Sequence, residues 1–201
     1  MFRRAFIENG DTSNIEVIIS SDRISPQTQE PIVHTGAEQS SLKRELYAFA
    51  FQNMWCQAKS IYDKFPDMVR VPLNSSGDTA LHVAVSANNT DFVKKLVKFE
   101  HLTPRDLEIP NAEANTAFCM AAITGGCEFL QIMIEKNDKL PLIPRNDDKM
   151  LPVHLATLTC YHEIVQDLTS ENLVQRMQLK DIERLLFMAI NCSMYGKTTI
   201  L

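Results

Sequence analysis

The sequence lacks any long uninterrupted apolar run. Its longest, Ala117 to Ile123, has seven residues, and Leu46 to Phe51 and Leu185 to Ile190 have six each, against the roughly 20 that a membrane-spanning helix needs. It also lacks a basic run: 20 Lys+Arg stand against 25 Asp+Glu, for a net charge of -5. That balance argues against a surface built to track nucleic-acid phosphates. A secretion signal is missing too, because Arg3 and Arg4 are followed only by Ala5, Phe6 and Ile7 before Glu8 ends the apolar stretch. The five cysteines are odd in number and irregular in spacing, unlike a secreted disulfide framework. These absences lead us to expect a cytoplasmic protein in a reducing compartment, with no membrane span of its own.

What is present is enough apolar material for a core, 45% of the residues, distributed unevenly. Residues 1–42 read as a flexible, disordered leader, since Ser20 to Ser41 mixes Ser, Gln, Thr and Pro without a sustained period. Within it Ile15 to Ile19 is short enough to stay unpaired. From Leu42 onward the pattern is helical and repeats itself. Leu46-Tyr47-Ala48-Phe49, Leu81-His82-Val83-Ala84, Phe118-Cys119-Met120-Ala121 and Val153-His154-Leu155-Ala156 align at offsets of 35, 37 and 35 residues. Twelve residues after the fourth position of each line stand Ile61, Leu96, Met133 and Leu168, on a second amphipathic helix. A fifth line starts at Leu186-Phe187-Met188-Ala189.

Each unit is thus a short helix, a tight turn and a second helix, and its apolar stripe can be buried only by stacking on its neighbours. The turn needs a residue that tolerates the left-handed conformation. Asn53, Asn88 and Gly125 stand there, with Cys160 as a departure and a local weakness. Polar stretches, residues 73–78, 111–115 and 145–149, precede first helices and project as fingers. The last unit has a first helix at about 181–193 and no second one, because Tyr195 to Thr199 interrupts it. Leu185, Leu186 and Met188 should form a sticky exposed stripe on a frayed end.

Several arrangements that imitate chemistry dissolve on spacing. Cys119, Cys127 and Cys160 match no compact metal-ligand pattern and read as small core residues, while Cys192 near the end is the most accessible thiol. Gly196-Lys197-Thr198-Thr199 resembles the end of a phosphate loop, but the first glycine of that pattern is replaced by Asn191. Sequons at Asn74, Asn88 and Asn191 are inert without secretion. Neither a nucleophile set nor a carboxylate pair emerges, so we expect a non-enzymatic chain with no cofactor and no metal. Asp78, Glu113 and the pair Asp147-Asp148 place negative charge along one edge of fingers, where a rigid scaffold presents binding groups.

Gly77-Asp78-Thr79-Ala80-Leu81-His82-Val83-Ala84 resembles the ankyrin-repeat line G-x-T-P-L-H-x-A, and Leu151-Pro152-Val153-His154-Leu155-Ala156 resembles a second copy with Leu151 in place of Thr. The third line, with Thr116 and Ala121, has Ala114 where a Gly is usual and Cys119 in the His slot. The resemblance implies an all-α ankyrin-repeat solenoid of stacked antiparallel helix pairs with hairpin-like fingers: four repeats over 43–178 and an incomplete fifth over 179–201. It also implies that Thr79, Leu81, His82, Ala84, Thr116, Ala121, His154 and Ala156 are structural, each imidazole bonding the backbone of a neighbouring finger. Trp55 to Tyr62 followed by Phe65-Pro66, and Asp106 to Ala122, further resemble plant ankyrin proteins that end in a membrane-embedded PGG domain. That likeness implies protein partners in stress, defence or cell-death signalling, at the cytoplasmic face of the plasma membrane through those partners. The alternative it suggests is a short form that regulates membrane-embedded relatives. Binding is expected at Ser76, Asp78, Glu113, Asn115, Asp147 and Asp148.

Overall fold

The computed structural model describes residues 36–145 and 147–192. Among the described residues ten helices run in order: α1 (Gly36–Phe51), α2 (Trp55–Tyr62), α3 (Ala80–Ser86), α4 (Thr90–Val97), α5 (Ala117–Thr124), α6 (Cys127–Lys136), α7 (Pro152–Leu158), α8 (His162–Leu168), α9 (Glu171–Val174) and α10 (Leu179–Asn191). Short 3-10 turns at Pro66–Arg70, Pro104–Glu108 and Leu140–Leu142 lead from second helices toward the loops that follow. No strand forms among the described residues; a lone antiparallel bridge joins Pro110 and Thr116. The fold is the all-α ankyrin-repeat solenoid. First helices pack in the series α1, α3, α5, α7, α10, and α2 and α6 flank α4 in the second row.

The stack follows from residue size. Ala84, Ala121 and Ala156 are all 0% exposed, and a methyl at that position lets successive first helices approach closely. Ile61, Leu96, Met133 and Leu168 are buried at the corresponding place in the second row, each burial being favourable by about 2 kcal/mol. Helix starts are set locally. Thr116 Oγ1 accepts the Cys119 N–H at 3.2 Å, and α7 opens on Pro152, whose missing N–H is no loss in a first turn.

The first helices α1, α3, α5 and α7 end in one device. Asn53 (φ 59°), Asn88 (56°), Gly125 (85°) and Cys160 (59°) all adopt the left-handed conformation. The residue after each donates its N–H five residues back: Met54 to Phe49, Asn89 to Ala84, Gly126 to Ala121 and Tyr161 to Ala156, at 2.8 to 3.1 Å. This is the Schellman closure, which satisfies carbonyls the helix end leaves open. Cys160 makes it despite its Cβ, at a cost of roughly 1 kcal/mol.

Two expectations change. Helix α1 begins at Gly36, inside the segment read as leader, because Leu42 adds one turn to the stripe of Leu46 and Ala50 and packs on the core. Residues 1–35, including Ile15 to Ile19, lie outside the described residues, as do Ser193 to Leu201. In α10 the exposed stripe has another phase. Leu185 is 1% exposed and faces α7 with Ala189, while Leu179 (72%), Phe187 (68%), Leu186 (44%) and Ile190 (43%) are open. Leu186 and Phe187 correspond to Val153 and His154, which the next unit covers; among the described residues none follows α10.

One core group is out of balance. Tyr62 is fully buried and its hydroxyl has no partner among the described residues; burial pushes its phenol far above the ordinary range. Tyr62→Phe should therefore raise the unfolding free energy by about 1 kcal/mol, read by urea denaturation. A loss of stability would mean the hydroxyl is bonded after all.

Candidate functional site

The loops between units are braced from within and from the neighbouring unit. In the first, Leu73 N–H donates to Asp78 O at 2.8 Å, and Asn74 Oδ1 accepts Asp78 N–H at 2.9 Å. The second closes the same way, Asn111 N–H to Asn115 O at 2.8 Å, with Asn111 Oδ1 accepting Glu113 and Asn115 N–H, both at 3.0 Å. In the third, Arg145 N–H donates to Met150 O at 2.8 Å, and the Arg145 guanidinium pairs with Asp148. Gly77 (φ 73°), Ala114 (60°) and Lys149 (57°) occupy one equivalent left-handed position.

The fingers then bond to one another at a reach of about one unit. Ala112 N–H donates to Ser76 O at 2.8 Å, and Asn111 Nδ2 donates to Asp78 Oδ1 at 2.9 Å. Arg145 Nη1 meets Asn115 Oδ1 at 3.5 Å, and Arg184 Nη1 meets Asp148 O at 3.0 Å. Elsewhere Arg70 bonds Asp106 at 3.1 Å and Asn137 bonds Pro104 O at 2.9 Å. Burial works to raise the Asp106 pKa, but the bonds from Arg70 and Thr103 outweigh it and hold the carboxyl below its usual range.

The histidines belong to this bracing. His82 is 1% exposed, and its Nδ1 accepts the Thr79 N–H at 3.2 Å. That bond leaves the proton on Nε2, which donates to Asn115 O at 3.1 Å in the next finger. His154 repeats the pattern: Nδ1 accepts the Leu151 N–H at 3.0 Å, and Nε2 meets Asp181 O at 2.8 Å. Here the expected finger is replaced by the first turn of α10, because α9 leads through residues 175–178 straight into that helix. Burial lowers both imidazole pKa values, and with both ring nitrogens committed neither is free to ligate a metal or shuttle protons.

Of the residues expected to bind, Ser76, Glu113 and Asp147 are exposed. Asp78 and Asp148 are half-buried and hold neighbouring groups, the Arg145 guanidinium keeping the Asp148 carboxyl below its usual range. Asn115 is 6% exposed, so it is an interior brace and no tip. The acidic line is consequently shorter than the sequence suggests: Glu113 and Asp147 face solvent, and the other carboxylates are internally satisfied. Asn74 and Asn111, which organise two loops, were missed; the only signal was an Asn four residues before Asp78 and before Asn115.

Burial works against ionisation of the Cys119, Cys127 and Cys192 thiols. Cys119 is buried, and burial pushes its thiol up. Cys56 and Cys160 are exposed, whereas Cys192 is half-buried beside Cys160 and also pushed up, by burial first. The expectation that Cys192 is the most accessible thiol therefore fails, because α10 packs its end against the Cys160 turn. Among the described residues no three His, Cys, Asp or Glu side chains gather as a metal site, and no helix is long and apolar enough to cross a membrane.

No curated protein matches the chain. Residues 76–107, which run from the first finger tip through α3 and α4, match the family model described as the ankyrin repeat. That match and the all-α stack together support an ankyrin-repeat protein and, with it, a protein-interaction module.

Proposed function

We propose that the chain is a non-enzymatic scaffold that binds a protein partner through its finger tips, in plant stress, defence or cell-death signalling. The observation that carries this reading is the division of labour among finger residues. Asn74, Asp78, Asn111, Asn115 and Asp148 hold the loops rigid, leaving Ser76, Glu113 and Asp147 presented on a pre-organised edge. Rigid loops lose little entropy on binding, and two carboxylates on that edge favour a basic partner surface. The plant setting rests on the likeness of Trp55 to Pro66 and Asp106 to Ala122 to the PGG-type ankyrin proteins.

The test is a side-by-side affinity capture from plant extract with the full chain and with Ser76→Ala/Glu113→Ala/Asp147→Ala. The three side chains are exposed, so the variant should keep its melting temperature. Loss of the captured partners supports the assignment; retention of every partner removes it.

A further inference from the structure

A second surface lies in the row of second helices. A groove of about 560 Å³ between α2 and α4 is lined by residues of both helices and of the turn after α4. No finger residue contributes to it. Its floor is aromatic: the Trp55 ring stands edge-on to Phe92 and Phe99, with centroids 5.4 and 5.9 Å apart. Trp55 remains half-buried, so part of the indole stays open. Its rim is cationic, with Lys59, Lys94, Lys95 and Lys98 against Asp91 and Glu100.

These lysines are poorly neutralised. Lys59 pairs with Asp63 and lies 5.9 Å from the Phe99 ring centroid. Lys94 meets Glu128 at 3.5 Å, through side chains 46% and 70% exposed; such surface pairs are weak and exchange readily. Lys95 and Lys98 are exposed, and their ammonium groups have no ion-pair or hydrogen-bond partner among the described residues. Lys136, which lines a neighbouring cleft and not this groove, caps the end of α4 by donating to Val97 O and Phe99 O.

The charge is local to this end of the row. Lys59 and Lys94 occupy one repeat position, and their counterparts further on are Gln131 and Gln166. Lys95 corresponds to Ile132 and Asp167, and Lys98 to Glu135 and Ser170. The groove beside α6 and α8 accordingly carries Glu135, Asp138 and Asp167 against Arg176. A basic site on a chain of net charge -5, bounded by acidic surface, cannot track a long phosphate backbone. It can take a short anionic segment that lays one apolar side chain on an aromatic floor.

We propose that this groove, floored by Trp55 and Phe99 and rimmed by Lys59, Lys94, Lys95 and Lys98, is a docking site for a carboxylate-rich protein segment bearing one apolar anchor residue. Long carboxylate side chains meet the lysine rim, and the anchor covers the open face of the indole.

Trp55 is the sole tryptophan of the chain, so its emission reports on the groove directly. The full-length protein is titrated with a short synthetic peptide of Glu and Asp around a single Leu. Comparators are the same peptide with Gln and Asn for the acids, the same peptide with Gly for Leu, and a single-stranded oligonucleotide. The expected result is a saturable change in Trp55 emission that both altered peptides weaken and that added salt screens. Lys95→Glu/Lys98→Glu should lower the affinity about tenfold or more, with Lys95→Gln/Lys98→Gln between it and the parent. Unchanged melting temperatures verify the fold of both. The finger-tip triple variant should bind the peptide normally, which separates this site from the finger edge.

No emission change, or equal affinity in the Lys95→Glu/Lys98→Glu variant, overturns the proposal. So does tighter binding of the oligonucleotide, which would make the site a phosphate reader. An emission change on concentrating the protein alone would identify a second copy as the occupant and equally overturn it.

Discussion

Replacing His82 by Ala is expected to lower the unfolding free energy by about 3 kcal/mol, the cost of orphaned buried polar groups plus a cavity. The imidazole links Thr79 at the start of α3 to Asn115 in the next finger. Its removal orphans the buried Thr79 N–H and takes from the Asn115 carbonyl one of its two bonds, the other coming from the Asn111 N–H. His82→Asn should recover only the local part, since a shorter amide can accept from Thr79 but cannot span to Asn115.

The same geometry fixes a pH dependence. A proton added to Nδ1 of His82 or His154 would face the N–H of Thr79 or Leu151, so the folded chain keeps both rings neutral, in agreement with the lowered pKa values that burial imposes. Below the ordinary histidine value of 6.5 the unfolded chain binds protons that the folded chain refuses. Stability is then complete above that value and falls as pH falls, with a slope approaching about 1.4 kcal/mol per pH unit for each imidazole. Urea denaturation at stepped pH should show this slope, and His82→Ala should remove about half of it. A flat profile between neutral pH and pH 5 would refute the tautomer assignment.

Adding three glycines should have the opposite sign. Ala114, Lys149 and Cys160 sit at φ 60°, 57° and 59°, where a Cβ costs roughly 1 to 2 kcal/mol, partly offset by the greater entropy of unfolded glycine. Ala114→Gly, Lys149→Gly and Cys160→Gly together are expected to raise stability by about 2 to 3 kcal/mol, nearly additively because the sites are separate. The converse change, Gly77→Ala, should destabilise: its Cβ would lie 3.0 Å from the Ala112 backbone nitrogen at φ 73°. Asn53→Gly should gain nothing, since Asn53 Oδ1 accepts the Phe92 N–H at 3.0 Å and that bond would be lost. Thermal unfolding of the triple variant settles the sign.

The sequence conveyed the repeat because its signals are local. The turn residues at 53, 88, 125 and 160 each act through their own helix, and the alanines at 84, 121 and 156 recur because every first helix meets its neighbour in the same way, so spacing reports role. The candidate site was harder to read, since a finger residue is a tip or a brace according to what the adjacent finger offers it. Asn115 and Glu113 are two residues apart and both polar, yet one is buried under His82 and the other open to solvent. Leu185 and Leu186 differ likewise, by one step of helix phase: the first is buried against α7 and the second open. The lysine groove is also an inter-unit property: Lys59 belongs to one unit and Lys94, Lys95 and Lys98 to the next, with neither alone forming a rim.

Each unit is completed by contacts with its neighbours, at a reach of about one repeat. Native-state amide exchange tests this most directly, because protection in such a stack follows the number of neighbours. We predict the strongest protection in α3 to α6, which have units on both sides, and clearly weaker protection at residues 181–192, where α10 packs on α7 with its apolar outer face open. Equal protection across residues 79–192, as from one indivisible cooperative unit, would contradict the account.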